Sequence, residues 1–221
     1  MASPEPRSAA LTRAALQALG VTATVAVAGR VIVGPLGGLP AEDGVNRWLQ
    51  GRRTPTLDRV TWALSTYSDT VPTILTASAL TATALTAARR GSAGARGGPW
   101  QAARPLAAIA LETAVFMSAA AVVGRGRPDV VRMDRPAPTS SFPSGHTGAT
   151  TALHLTIADL VAERATRATE LAALAIRFGV PPLVGWSRLY RGMHHPSDVV
   201  VGVAVGVWSH RTVRRVGSGV G

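Results

Sequence analysis

The chain of 221 residues contains no cysteine and no lysine. Without cysteine there is no disulfide framework, no thiolate zinc site and no thiol nucleophile. Charge is scarce: 16% of residues are Asp, Glu or Arg, against roughly 25% in an ordinary soluble domain. Acidic residues are scarcer still, 12 against 23 arginines, which leaves a net charge of +11. Yet mean hydropathy is +0.21, so apolar residues must be segregated from the arginines, which excludes intrinsic disorder for most of the chain. A basic chain suggests a nucleic acid or an anionic membrane as partner. The arginines fall in clusters between apolar stretches, the pattern of a membrane protein with charged loops. The Arg-rich stretch 89–104 lacks interleaved aromatics, so no nucleic-acid partner is expected.

Six apolar segments reach or approach the roughly 20 residues that a span needs: Ala14–Leu36, Val71–Ala88, Pro105–Gly124, His146–Ala162, Leu171–Trp186 and Ser197–Val213. The expected fold is therefore an all-α bundle of six transmembrane helices. Residues 1–13 are expected to be a disordered cytoplasmic end, 14–210 the membrane domain and 211–221 a basic cytoplasmic tail. Residues 89–104 read as a flexible loop. Between Gly37 and Thr70, Val45–Leu49 and Leu57–Leu64 carry helical apolar spacing and suggest amphipathic helices on the membrane surface. With six spans both termini share the cytoplasmic side, and 37–70, 124–145 and 187–198 face outward.

Chemistry concentrates in three clusters on that outer side: Gly124-Arg125-Gly126-Arg127-Pro128, Ser141-Phe142-Pro143-Ser144-Gly145-His146, and Ser187 to Asp198. Arginine forks bind phosphate oxygens bidentately and stay charged. Pro143-Ser144-Gly145 at a helix start offers free N–H groups and the positive end of the dipole to an anion. His194 and Asp198 are spaced so that the carboxylate can reach one imidazole nitrogen, leaving the other as a nucleophile. His146 is placed to protonate a leaving oxygen.

This pattern resembles the type 2 phosphatidic acid phosphatase superfamily. The family signature runs Lys-x6-Arg-Pro, Pro-Ser-Gly-His, Ser-Arg-x5-His-x3-Asp; the second and third elements are complete here, and the three lie within 120–198. The resemblance implies that His194 forms a phosphohistidine, Asp198 orients it and His146 is the general acid. It implies that Arg127, Arg188, Ser144 and Gly145 hold the phosphoryl oxygens, with no metal and no other cofactor. The family lysine falls at Ala120, and Arg125 is the expected substitute. The implied function is hydrolysis of a lipid phosphate monoester or diphosphate at a bacterial plasma membrane. Undecaprenyl diphosphate is favoured, and phosphatidylglycerophosphate and phosphatidate are also open. The alternatives are a non-catalytic lipid-phosphate binder or transporter and a vanadate-dependent haloperoxidase. Among the remaining polar residues, Glu112 is expected to contact Arg30, Arg177 or a polar group of the pocket. His154 reads as a hydrogen-bonded bundle residue, His195 as a solvated loop or interface residue, and Arg191 as a loop or headgroup arginine.

Overall fold

The computed structural model describes residues 7–90, 99–135, 138–163 and 165–218. Among them there is no strand. The helices are α1 (Arg7–Val33), α2 (Pro40–Gln50), α3 (Pro55–Tyr67), α4 (Thr70–Arg89), α5 (Pro99–Val123), α6 (Gly145–Ala162), α7 (Arg167–Tyr190) and α8 (Pro196–Ser218). The six expected spans correspond to α1, α4, α5, α6, α7 and α8. Four of these, α1, α4, α5 and α7, are long and apolar enough to cross a membrane by composition.

The reason α6 and α8 fall short lies in the packing. Helix α6 is the hub and touches α4, α5, α7 and α8. Its surface meets protein rather than lipid, so it can carry Thr147, Thr150, Thr151, His154 and Thr156, all buried. Thr151 and Thr156 return their hydroxyls to the carbonyls one turn back, at 2.7 and 2.9 Å, so these polar groups are satisfied. Helix α8 approaches α6 through glycine: a side-chain carbon on Gly206 would run into the Gly148 carbonyl, and one on Gly202 into that of Ser144. Small residues substitute for apolar bulk where helix backbones come this close.

Three boundaries differ from expectation. Helix α1 starts at Arg7, inside the stretch expected to be disordered; residues 1–6 lie outside the described residues. Helix α5 starts at Pro99, which takes up the end of the expected 89–104 loop, while 91–98 lie outside the described residues. Pro99 opens that helix without loss, because a first-turn N–H has no intrahelical acceptor. Residues 211–218 of the expected tail are the last two turns of α8, held by the burial of Thr212, Val213 and Val216, while 219–221 lie outside the described residues.

Helices α2 and α3 form the amphipathic pair read from the sequence. Thr54 caps α3, accepting the Leu57 N–H at 3.3 Å. They expose Val45, Trp48, Val60 and Trp62. Their inner faces lean on α7 and α8, and this turns out to position the site.

Candidate active site

The three motif clusters meet where the C-terminal ends of α5 and α7 approach the N-terminal ends of α6 and α8. The chain between α7 and α8 is fixed from four directions. Arg127 donates to the Met193 carbonyl at 2.7 Å. Asn46 of α2 donates to the His194 carbonyl at 3.0 Å. Arg53 reaches the Tyr190 carbonyl at 2.9 Å. The Arg191 guanidinium pairs with Asp134 at 2.6 to 2.9 Å. Arg191 is therefore a buried framework residue of the loop rather than a membrane-surface or headgroup arginine. Gly192 turns this loop at φ +69, a region that side chains rarely adopt.

His194 is 3% exposed. Its Nδ1 lies 2.7 Å from the Ser141 carbonyl oxygen and 3.7 Å from Asp198 Oδ2. A carbonyl can only accept, so Nδ1 carries the proton and Nε2 keeps its lone pair. The close partner that sets the tautomer is thus a backbone carbonyl, where the sequence pointed to Asp198. Burial pushes the His194 imidazole down to about 4, and the charges of Arg188 and Arg127 act in the same direction. The ring is neutral at neutral pH, as a nucleophile requires.

Asp198 acts one step away. It is fully buried. Its Oδ2 accepts the His195 N–H at 2.7 Å, which shapes the loop that carries His194. Its Oδ1 accepts from Arg125 at 2.6 Å. Arg125 also pairs with Glu42 of α2 at 2.6 Å, and Glu42 accepts the Ser197 N–H at 2.5 Å. This corrects the expectation for Arg125: its guanidinium is spent on two buried carboxylates, and it does not line the cavity where phosphate would sit. Ser144 is corrected in the same way. Its N–H goes to the Asp198 carbonyl at 2.9 Å and its hydroxyl pairs with Thr147 at 3.0 Å, behind the cavity wall.

The cavity measures about 680 Å³. Arg127, Gly145, His146, Arg188 and His194 of the motifs face it. Gly145 opens α6, so its N–H is among those without an intrahelical acceptor. A side chain there would meet the Phe116 ring at 2.9 Å. Arg188 reaches Ser65 and, at 3.0 Å, Asp134, while its buried Nε has no partner among the described residues. Burial raises the Asp134 carboxyl, but hydrogen bonds from Arg191 and the charges of Arg188 and Arg191 prevail and hold it below its ordinary value. Burial lowers the Arg127 guanidinium from its ordinary value and Asp198 opposes the shift; the group remains a cation.

Sequence reasoning missed Asp69, Asp134 and Arg135, all of which line the cavity. Asp134 and Arg135 sit between two motif clusters and Asp69 in the turn between α3 and α4, outside any motif spacing. Exposed Arg135 has no hydrogen-bond partner among the described residues. Glu112 takes the third of its expected partners: it lines the cavity, with Thr113 at 3.4 Å, while Arg177 pairs with Asp159 at 2.7 Å. His154 is the expected bundle residue, bonded to Tyr67 at 2.7 Å and the Thr150 carbonyl at 2.8 Å. His195 is buried rather than solvated, with Nδ1 at 3.3 Å from Asp198.

A model of the PAP2 superfamily matches residues 101–218, more than half of the chain. The chain belongs to the PAP2 superfamily. Two curated relatives, the decaprenylphosphoryl-5-phosphoribose phosphatases of two Mycobacterium tuberculosis strains, are each 40% identical over 102 residues. That match takes in 44% of this chain and 51% of each relative, so the chain spans about half the length of the curated relatives it matches. Among solved structures, the transmembrane PAP2-type phosphatidylglycerolphosphate phosphatase of Bacillus subtilis superposes with a TM-score of 0.71 at 18% identity, over 90% of this chain and 93% of that one. Aquifex aeolicus LpxE gives 0.55 at 22% identity, over 77% and 93%. These two likenesses establish the shared all-helical fold. In this PAP2 chain the family's second and third motif elements stand at one cavity, and its first contributes Arg127.

Proposed function

We propose that this PAP2 protein is an integral-membrane phosphatase that removes phosphate from a lipid-borne ester through a phosphohistidine. The observation that carries the reading is that two imidazoles, His146 and His194, the latter bonded through Nδ1 so that Nε2 keeps its lone pair, line one cavity together with the guanidinium groups of Arg127 and Arg188. In the first step His194 Nε2 attacks phosphorus and the bond from phosphorus to the lipid oxygen breaks. That oxygen takes a proton from His146. In the second step water attacks the phosphohistidine, His146 takes the water's proton, and the P–N bond breaks to release inorganic phosphate. Arg127, Arg188 and the Gly145 N–H neutralise the transferred group, the main demand of phosphoryl transfer. Arg135, without a hydrogen-bond partner among the described residues and lining the same cavity, supplies the cation that the family lysine would give and that Ala120 cannot.

The relatives' name favours a polyprenyl-linked phosphosugar over undecaprenyl diphosphate. The hydroxyls of Thr66, Ser68, Thr70, Thr73 and Thr113 along the cavity suit such a headgroup. We place the cavity on the outer side of the plasma membrane. The opposite end of the bundle carries Arg13, Arg89, Arg104, Arg211, Arg214 and Arg215, as the cytoplasmic face of a membrane protein should.

The test is phosphate release by detergent-purified protein in EDTA. Decaprenylphosphoryl-5-phosphoribose, undecaprenyl diphosphate, phosphatidylglycerophosphate and phosphatidate are compared, with His194→Ala in parallel. Release from one lipid that vanishes in the variant is expected. Phosphate binding without release from any of them would overturn the reading in favour of a binder.

A further inference from the structure

The two imidazoles of the cavity have different partners. His194 gives its Nδ1 proton to a neutral carbonyl, which fixes a tautomer without favouring the imidazolium. His146 has its Nε2 3.4 Å from Asp69 Oδ1, a carboxylate, which favours the protonated ring. Asp69 lies outside every motif cluster, yet both it and His146 line the cavity. Its Oδ1 also accepts the Thr70 N–H at 2.9 Å, so the start of α4 fixes the carboxylate's direction. Arg188 of α7 and His194 of the following loop face the same cavity, and Asp69 is the carboxylate within reach of the His146 ring. Glu112 of α5 lines the same cavity.

We infer that Asp69 is a positioning residue for the acid of the reaction: it holds the His146 ring with a proton ready for the leaving lipid oxygen. This rests on the reading of His146 as general acid. An alkoxide leaving group needs that proton and a nitrophenolate does not, so the two substrates separate proton delivery from phosphate binding and nucleophilic attack.

The experiment compares wild type, Asp69→Asn, Asp69→Glu and His146→Ala on a lipid phosphate and on 4-nitrophenyl phosphate. Asparagine keeps the acceptor for Thr70 and the Asp69 side chain is 62% exposed, so the fold has no reason to fail. Asp69→Asn is expected to lower kcat on the lipid about tenfold with KM unchanged, a fraction of the roughly 10²–10⁴ that general-acid catalysis contributes. On the aryl ester its rate should stay within about twofold, because no proton is needed there. Asp69→Glu should recover part of the lipid rate. Equal loss on both substrates, or no loss on the lipid, overturns the role of Asp69. His146→Ala should show the same split more strongly. If it shows the split and Asp69→Asn does not, only the Asp69 role falls; if His146→Ala shows none, the acid assignment falls with it.

Discussion

Arg125 and Arg135 belong to the same connection between α5 and α6 and carry the same charge, but burial gives them opposite consequences. Arg125 is 7% exposed and sits between Glu42 and Asp198. Removing it leaves two buried carboxylates unpaired, a situation that costs about 3–5 kcal/mol. Arg125→Ala is therefore expected to lower the thermal unfolding midpoint in detergent sharply and to lose activity with it. Arg135→Ala should leave the midpoint nearly unchanged, within about 0.5 kcal/mol. It should cost about tenfold in kcat/KM, below the ~10²–10³ of a fully desolvated donor. A stable Arg125→Ala with weakened phosphate binding would restore Arg125 to the cavity. His194 also links protonation to folding. Its value in the folded protein, about 4, lies below the ordinary 6.5. An unfolded chain therefore takes up the proton first as pH falls. The stability contributed by keeping the ring neutral is complete above about 6.5. It is lost as pH drops toward about 4. Unfolding midpoints measured across that window should fall less steeply in His194→Asn than in wild type.

The contact of α6 with α8 is the element on which the site's geometry depends, since Gly145 and His146 open one helix and Asp198 stands in the first turn of the other. Gly206→Val forces the backbones apart at Gly148 and is expected to cost about 1–3 kcal/mol, the usual range for overpacking. Chemical unfolding in detergent would measure it; an unchanged midpoint would mean that the helices separate freely. The helices themselves were legible because each apolar segment has helical length and turn residues at its ends. The alternation of six spans likewise put His146, Arg188 and His194 at the same end of the bundle, and the family resemblance brought them to one phosphate. What spacing could not give was the destination of long, flexible side chains. Arg125 was read as facing phosphate because its charge fits, and only the positions of Glu42 and Asp198 turn it inward. Asp69 was invisible for the converse reason: it meets His146 through the α3–α4 turn, and no sequence distance encodes that meeting.

Over the whole molecule the arginines stand at both ends of the bundle. At the cavity end Arg53, Arg127, Arg188 and Arg191 are spent on internal partners, while Arg47, Arg52, Arg59, Arg132 and Arg135 are exposed; at the other end Arg214 is 62% exposed. A chain without cysteine is suited to testing this orientation. A single Arg132→Cys should react with a membrane-impermeant maleimide on intact cells, and Arg214→Cys only after permeabilisation; the reverse pattern would invert the topology. The matched family region begins at residue 101, but the carboxylate that neutralises Arg125, the amide that holds the His194 carbonyl and the carboxylate beside His146 come from Glu42, Asn46 and Asp69. The signature is thus separable from the working site. In a chimera joining the first hundred residues of one homologue to the motifs of another, every signature residue would survive and the site would still fail wherever Glu42 and Arg125 came from mismatched parents. The two halves of such a protein have to be inherited together.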